Sequence, residues 1–221
     1  VFLMVWRPAG LAISSSSAES DEYKGQRYGL EEVIGEGGMA VVWRARHLTL
    51  ETPVAVKFLE EVGEDLKERF VREAKIAAAI THRNVVQVLD FGTQGGAAYM
   101  VMEHLHGQSL AERLGTGPIP TPESIRLIAQ VLSGLCAVHD RGLAHRDIKP
   151  ENVFLVEDAD GVYPKLFDFG LSKAVGRTPG RQLKSVIPTA DNHITGTPEY
   201  MSPEQARGLA DVDQRTDVWS M

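Results

Sequence analysis

Two early runs, Tyr28 to Ile34 and Ala40 to Arg46, are apolar and partly alternate with polar residues, which predicts paired β-strands. Pro53 to Phe58 holds the short apolar run Val54-Ala55-Val56 closed by Lys57, and reads as a buried strand. The period then lengthens. Leu66, Phe70, Ala74 and Ala77 recur at spacings of 4, 4 and 3, placing one apolar stripe on a helix, with Glu73 beside it. Val85 to Phe91 and Ala97 to Met102 are two further strands, so the first half predicts a five-stranded antiparallel sheet with one helix. Gly107 follows as a hinge.

The second half is mainly helical. Thr121 as N-cap and Pro122 at the first turn open a helix whose apolar face is Ile125, Ile128, Ala129, Leu132, Leu135, Cys136 and His139, closed by Gly142. Val153 to Val156 and Pro164 to Phe167 are short strands around an Asp160-Gly161 turn. Leu171 to Ile194 shows no period, and an irregular stretch that long is normally functional or disordered. Thr216 to Ser220 starts a further helix, and Ser14 to Ser17 with the polar residues up to Gln26 predict a disordered Ser-rich leader over residues 1–27.

Chemistry enters at His145-Arg146-Asp147-Ile148-Lys149-Pro150-Glu151-Asn152, where Pro150 makes a continuous helix unfavourable. A loop carrying an acid, an ammonium and a carboxamide can position a hydroxyl, a phosphate and a metal ion together. Gly35-Glu36-Gly37-Gly38-Met39-Ala40 joins the first two strands, and glycines there let backbone N–H groups approach a phosphate where a Cβ would obstruct. Asp168-Phe169-Gly170 follows Asp147 by 21 residues, between a strand and a loop, and Asp168 offers the hard oxygen that Mg²⁺ prefers. Taken singly, a glycine-rich hairpin, a strand-end lysine and a helical glutamate are ordinary solvated features; their order and spacing give them weight.

Composition narrows the picture. The 221 residues are 43% hydrophobic and 24% charged, enough for one large domain or two small lobes. A net charge of −7 argues against a nucleic-acid binder. Cys136 is the sole cysteine, which rules out an internal disulfide and points to a reducing compartment; its place in an apolar helical pattern predicts a small buried hydrophobe. No apolar run approaches the roughly 20 residues that span a bilayer, and Val1 to Trp6 is too short. His104 and His106 predict solvent-facing residues rather than ligands.

These motifs resemble the catalytic domain of bacterial eukaryotic-like (Hanks-type) Ser/Thr protein kinases, over Tyr28 to Met221. Gly35, Gly37 and Val42 stand in the glycine-rich pattern with Ala40 for its third glycine, and Ser202-Pro203-Glu204 stands for its Ala-Pro-Glu element. The resemblance implies an α+β bilobal protein-kinase-like fold, with a five-stranded N-lobe over 28–102 and a mainly helical, incomplete C-lobe over 103–221. It implies Asp147 and Lys149 as catalytic residues, and Asn152 and Asp168 as ligands for Mg²⁺ or Mn²⁺. ATP is expected against Ile34, Gly35, Glu36, Gly37, Gly38, Met39, Ala40, Val42, Ala55 and Lys57. Glu73 is expected to pair with Lys57, with Met102 as gatekeeper and the Glu103 and Leu105 backbone at adenine. His145 is expected to support Phe169, and Asp217 to hold the catalytic loop from below.

Lys149 favours Ser/Thr over Tyr substrates, and Arg146 before Asp147 implies control by activation-loop phosphorylation, with Thr195 first, then Thr189 and Ser185. Expected partners are protein substrates and a second kinase copy for trans-autophosphorylation, with no nucleic acid. The expected location is cytoplasmic, the full-length protein being membrane-anchored by a region outside this chain. The alternatives are a truncated inactive fragment or a pseudokinase that binds ATP without turnover.

Overall fold

The structure, a computed structural model, describes residues 27–37, 40–59, 64–94, 97–159, 161–168, 198–209 and 212–221. Two compact units emerge: one contains the chain to Ala74 together with Val88–His104, the other Lys75–Gln87 and Leu105–Met221.

The first unit is built on five antiparallel strands: β1 (Tyr28–Gly37), β2 (Ala40–His47), β3 (Pro53–Leu59), β4 (Val88–Gln94) and β5 (Ala97–Glu103), in the order β1-β2-β3-β5-β4. Every residue of β3 after Pro53 is buried, as a central strand covered on both faces requires. On one face Leu30, Ala45, Val54, Val56, Phe58 and Val101 form the core, with Tyr28, Trp43 and Tyr99 packed around it. Although β1 and β4 are the outer strands, the Tyr28 hydroxyl donates to Asp90 Oδ2 at 2.9 Å. The sheet therefore curls until its edges meet, in keeping with strand twist. Burial, then the bond to Asp90, pushes the Tyr28 phenol up to about 12.

Helix α1 (Glu64–Ala78) buries Phe70, Ala74 and Ala77, the expected stripe; the Leu66 side chain lies outside the described ones.

The second unit orders β6 (Gly107–Ser109), α2 (Leu110–Gly115), α3 (Thr121–His139), a 3-10 turn (Pro150–Asn152), β7 (Val153–Asp158), β8 (Gly161–Leu166), a second 3-10 turn (Pro198–Tyr200), α4 (Pro203–Ala206) and α5 (Arg215–Trp219). Its sheet runs β6-β7-β8, and Val131, Leu135, Ile148, Val153 and Leu166 form its core, so the helix and the sheet meet directly under the 145–152 loop. Gly107 has φ +139°, and a Cβ there would collide with the Leu155 carbonyl, so this strand entry demands glycine.

Three expectations are corrected. Val85 does not begin β4; it forms a parallel bridge with Leu166, and the Val86 N–H donates to the Leu166 carbonyl at 2.8 Å. The cap of α3 is Pro120, with Thr121 inside the helix and no side-chain cap bond. Helix α3 buries Leu127, Val131, Gly134, Leu135 and Val138, while Ile125, Ile128, Leu132 and Cys136 are exposed. Of the predicted face only Leu135 is buried, because the stripe one position earlier is the one turned to β8. Cys136 is therefore an exposed thiol in this structure rather than a core hydrophobe.

Candidate active site

In the first unit the strand register gathers the predicted nucleotide residues on one face. Gly35 pairs with Val42, Val42 with Lys57 and Lys57 with Met100, so these positions form one cross-strand row. Ala55 and Met102 form the next row on that face, opposite the core carrying Val54, Val56 and Phe58. Lys57 is only 6% exposed, which is unusual for a lysine, a residue seldom buried unless paired. A Cβ added at Gly35 would meet only Val42, at an ordinary 3.7 Å. Among the described residues, packing within the sheet therefore leaves room for a Cβ at Gly35.

Ile34 and Glu36 are exposed, Ala40 and Glu73 half-buried, and Glu103 half-buried at the end of β5. Gly37 ends β1; Gly38 and Met39 lie outside the described residues. Leu105 belongs to the second unit.

In the second unit a buried carboxylate organises the 145–152 loop. Asp217, fully buried on α5, accepts the backbone N–H of His145 at 2.8 Å and of Arg146 at 2.6 Å, and its Oδ2 lies 2.8 Å from His139 Nε2. The expectation that Asp217 holds the loop is met in full. His145 Nε2 lies 3.0 Å from the Phe167 carbonyl, while Phe169, which His145 is expected to support, is outside the described residues. Burial holds the His145 imidazole below its ordinary 6.5, against the opposing pull of Asp217.

Within the loop, Asn152 Nδ2 donates to the Asp147 carbonyl at 2.8 Å and to Asp147 Oδ2 at 3.0 Å, and Lys149 Nζ lies 3.6 Å from the same Oδ2. Asp147, Lys149 and Asn152 are therefore one cluster. The Asn152 carbonyl accepts the Phe167 N–H at 3.2 Å, which ties the loop to the segment carrying Asp168. Arg146 (φ 62°) and Asp168 (φ 59°) both adopt left-handed backbone, costly for residues with a Cβ and typical of functional sites.

The Asn152 amide turns its Nδ2 to Asp147, and Asp168 follows the Phe167 N–H that ties its segment to the Asn152 carbonyl. An amide oxygen and a carboxylate are donor types that a hard divalent ion such as Mg²⁺ accepts. No group of three or more His, Cys, Asp and Glu side chains among the described residues could hold a metal by itself. The predicted phosphosites Thr195, Thr189 and Ser185 lie outside the described residues.

Sequence reasoning missed two structural members of this unit. Asn84 donates to the Pro164 carbonyl at 2.8 Å and its own carbonyl accepts the Leu166 N–H at 2.9 Å, so it clasps β8 just before Asp168. Gln205 donates to the Arg146 carbonyl at 2.8 Å. Ser202 and Gln205 are legible as a capping box, but the second bond of Gln205 is tertiary.

Comparison with known proteins agrees with this geometry. Residues 28–221 match the protein kinase domain family. Serine/threonine-protein kinase pkn2 of Myxococcus xanthus is 39% identical over 197 residues, 88% of this chain and 23% of that protein. Serine/threonine-protein kinase pkn3 of the same organism is 40% identical over 215 residues, 92% of this chain and 38% of that protein. PknB of Mycobacterium leprae is 38% identical over 203 residues, 88% of this chain and 31% of that protein. The chain thus spans less than half the length of each of these relatives. Among solved structures, the PknI kinase domain of Mycobacterium tuberculosis superposes with a TM-score of 0.67 at 25% identity, covering 86% of this chain and 70% of that one. With its curled five-stranded sheet, its carboxylate-anchored loop and a family match across most of its length, this chain belongs to the protein kinase domain family.

Proposed function

We propose that this chain is the catalytic domain of a serine/threonine protein kinase, transferring the γ-phosphoryl group of ATP to Ser and Thr hydroxyls of proteins. The observation that carries the reading is the Asp147–Lys149–Asn152 cluster, held on a loop whose backbone is bound by Asp217. Asp147 orients the substrate hydroxyl and takes its proton as the new O–P bond forms and the bond to the β-phosphate oxygen breaks. Lys149 offsets charge on the group in transfer, and Lys57, paired with Glu73, binds the α- and β-phosphates. The row Gly35, Val42, Lys57 and the row Ala55, Met102 supply one face for nucleotide, with the backbone of Glu103 and Leu105 at adenine. Asn152 and Asp168 would hold Mg²⁺, which would supply neutralisation of phosphate charge.

Arg146 is the receiver for an activation-loop phosphate at Thr195, with Thr189 and Ser185 as further acceptors. Its Nε is buried with no hydrogen-bond partner among the described residues, while its Nη2 donates to the Val212 carbonyl at 3.4 Å. Phosphorylation of one copy by another is the route this reading favours. The need for ATP and the lone Cys136 favour the cytoplasm, and no described helix is long and apolar enough to cross a membrane.

The test is transfer of labelled γ-phosphate to a generic protein substrate by wild type and by Asp147→Asn. A loss of about 10²- to 10⁴-fold is expected if Asp147 is the base. Equal transfer by both proteins would exclude that role.

A further inference from the structure

Arg146 sits directly before the proposed catalytic Asp147 with φ 62°, a conformation that an L-residue keeps only when its surroundings impose it. Two different elements hold its two ends. On one side its N–H donates to Asp217 Oδ1 on α5 at 2.6 Å. On the other its carbonyl accepts Gln205 Nε2 from α4 at 2.8 Å. The carbonyl of Arg146 and the N–H of Asp147 belong to one planar peptide unit, so pinning that oxygen sets the plane from which Asp147 departs.

Gln205 is itself well anchored. Its Oε1 accepts the Ser202 N–H at 3.0 Å, its own N–H donates to Ser202 Oγ at 3.4 Å, and the buried Ser202 hydroxyl lies 2.6 Å from Thr216 Oγ1 on α5. The amide therefore works at both ends, the oxygen capping α4 and the nitrogen clamping the catalytic loop. We infer that Gln205 is a positioning residue for phosphoryl transfer: through the Arg146 carbonyl it holds the left-handed turn that aims Asp147. The inference rests on the reading of Asp147 as the base, while the clamp itself rests on geometry alone.

Gln205→Glu separates the two ends of the amide. Glutamate serves a capping box as well as glutamine, so the start of α4 is kept, but a carboxylate oxygen then faces the Arg146 carbonyl with no proton to donate. Gln205→Met keeps the length without donor or charge, and serves as companion should the added charge disturb folding. The expected result for both is a fall in kcat of about tenfold or more with KM for ATP within about twofold, since misplaced catalytic groups cost rate rather than nucleotide binding.

The readout independent of activity is hydrogen exchange of the Arg146 amide by NMR, expected to quicken about tenfold or more once its carbonyl is released. Measured in an Asp147→Asn background, it reports the clamp when chemistry is absent. If wild type transfers no phosphoryl group but exchange quickens in the variants, the functional reading fails and the clamp stands. Exchange at Arg146 unchanged in both variants overturns the clamp, and quickened exchange with wild-type kcat overturns its role in aiming Asp147.

Discussion

Removing the Asp217 carboxylate should loosen the catalytic loop more than any other single change outside it. Asp217 has no exposed surface and receives two backbone N–H groups, from His145 and Arg146, besides facing His139 Nε2. Hydrogen bonds to a charged group contribute about 1.5–3 kcal/mol each, and a buried donor left unsatisfied costs about 1–3 kcal/mol. Asp217→Ala strands both N–H groups and opens a small cavity, so about 3–6 kcal/mol is expected, against a typical total of about 5–15 kcal/mol. Asp217→Asn is milder. Its amide oxygen can keep the Oδ2 position facing His145 and His139, which leaves an NH₂ against the Arg146 N–H and costs about one charged bond, roughly 2 kcal/mol.

Two compact units need not unfold together, so a global melt alone is a blunt probe. Amide hydrogen exchange is the better assay, because 2 kcal/mol corresponds to about a 30-fold change in the opening equilibrium. His145 and Arg146 amides should exchange about 30-fold faster in Asp217→Asn, with β3 amides such as Val56 unchanged. Exchange at 145 and 146 within about twofold of wild type in both Asp217 variants would refute this view of the carboxylate.

Other expectations follow from the same contacts. Gly134→Ala sets helix propensity, worth about 1 kcal/mol in favour of alanine, against a Cβ only 2.6 Å from the Asn84 carbonyl oxygen. A backbone atom cannot swing aside, so a net loss of about 1–3 kcal/mol and a lower Tm are expected; a raised Tm would show that the Asn84 loop yields. Tyr28→Phe removes the bond that joins the sheet edges, and should cost about 1 kcal/mol in urea denaturation, with β1 amides exchanging faster. Because burial holds His145 below 6.5, the unfolded chain takes up its proton at higher pH than the folded one. Its contribution is complete above 6.5 and is lost as pH falls below it, by up to about 1.4 kcal/mol per pH unit until the folded pKa is reached. His145→Phe should flatten the stability–pH curve below 6.5; an unchanged slope would assign the acid sensitivity elsewhere.

Much of the first unit was legible because its signals are local. Apolar, partly alternating runs mark β1 and β2, the short apolar run ending in Lys57 marks β3, and spacing puts Phe70 and Ala74 on one buried stripe. The 145–152 loop was legible as chemistry, and the structure adds the bonds that join Asp147, Lys149 and Asn152. The errors arose where two apolar patterns compete. Helix α3 carries apolar residues on two neighbouring stripes, and periodicity cannot say which one meets β8, so Ile125, Ile128, Leu132 and Cys136 read as core from sequence although they are exposed. The apolar stretch from Val85 reads as one strand, yet 85–86 pair with Leu166 and only Val88 onward joins β5. Bonds such as Gln205 to Arg146 span 59 residues and depend on a turn whose φ no composition reveals.

The most direct test of the central claim is phosphoamino-acid analysis after incubating the chain with γ-labelled ATP, Mg²⁺ and a protein substrate. Label is expected in phosphoserine and phosphothreonine, dependent on Asp147, Lys57 and Asp168. Label found only in inorganic phosphate or in phosphotyrosine, or incorporation undiminished by Asp147→Asn, would contradict it.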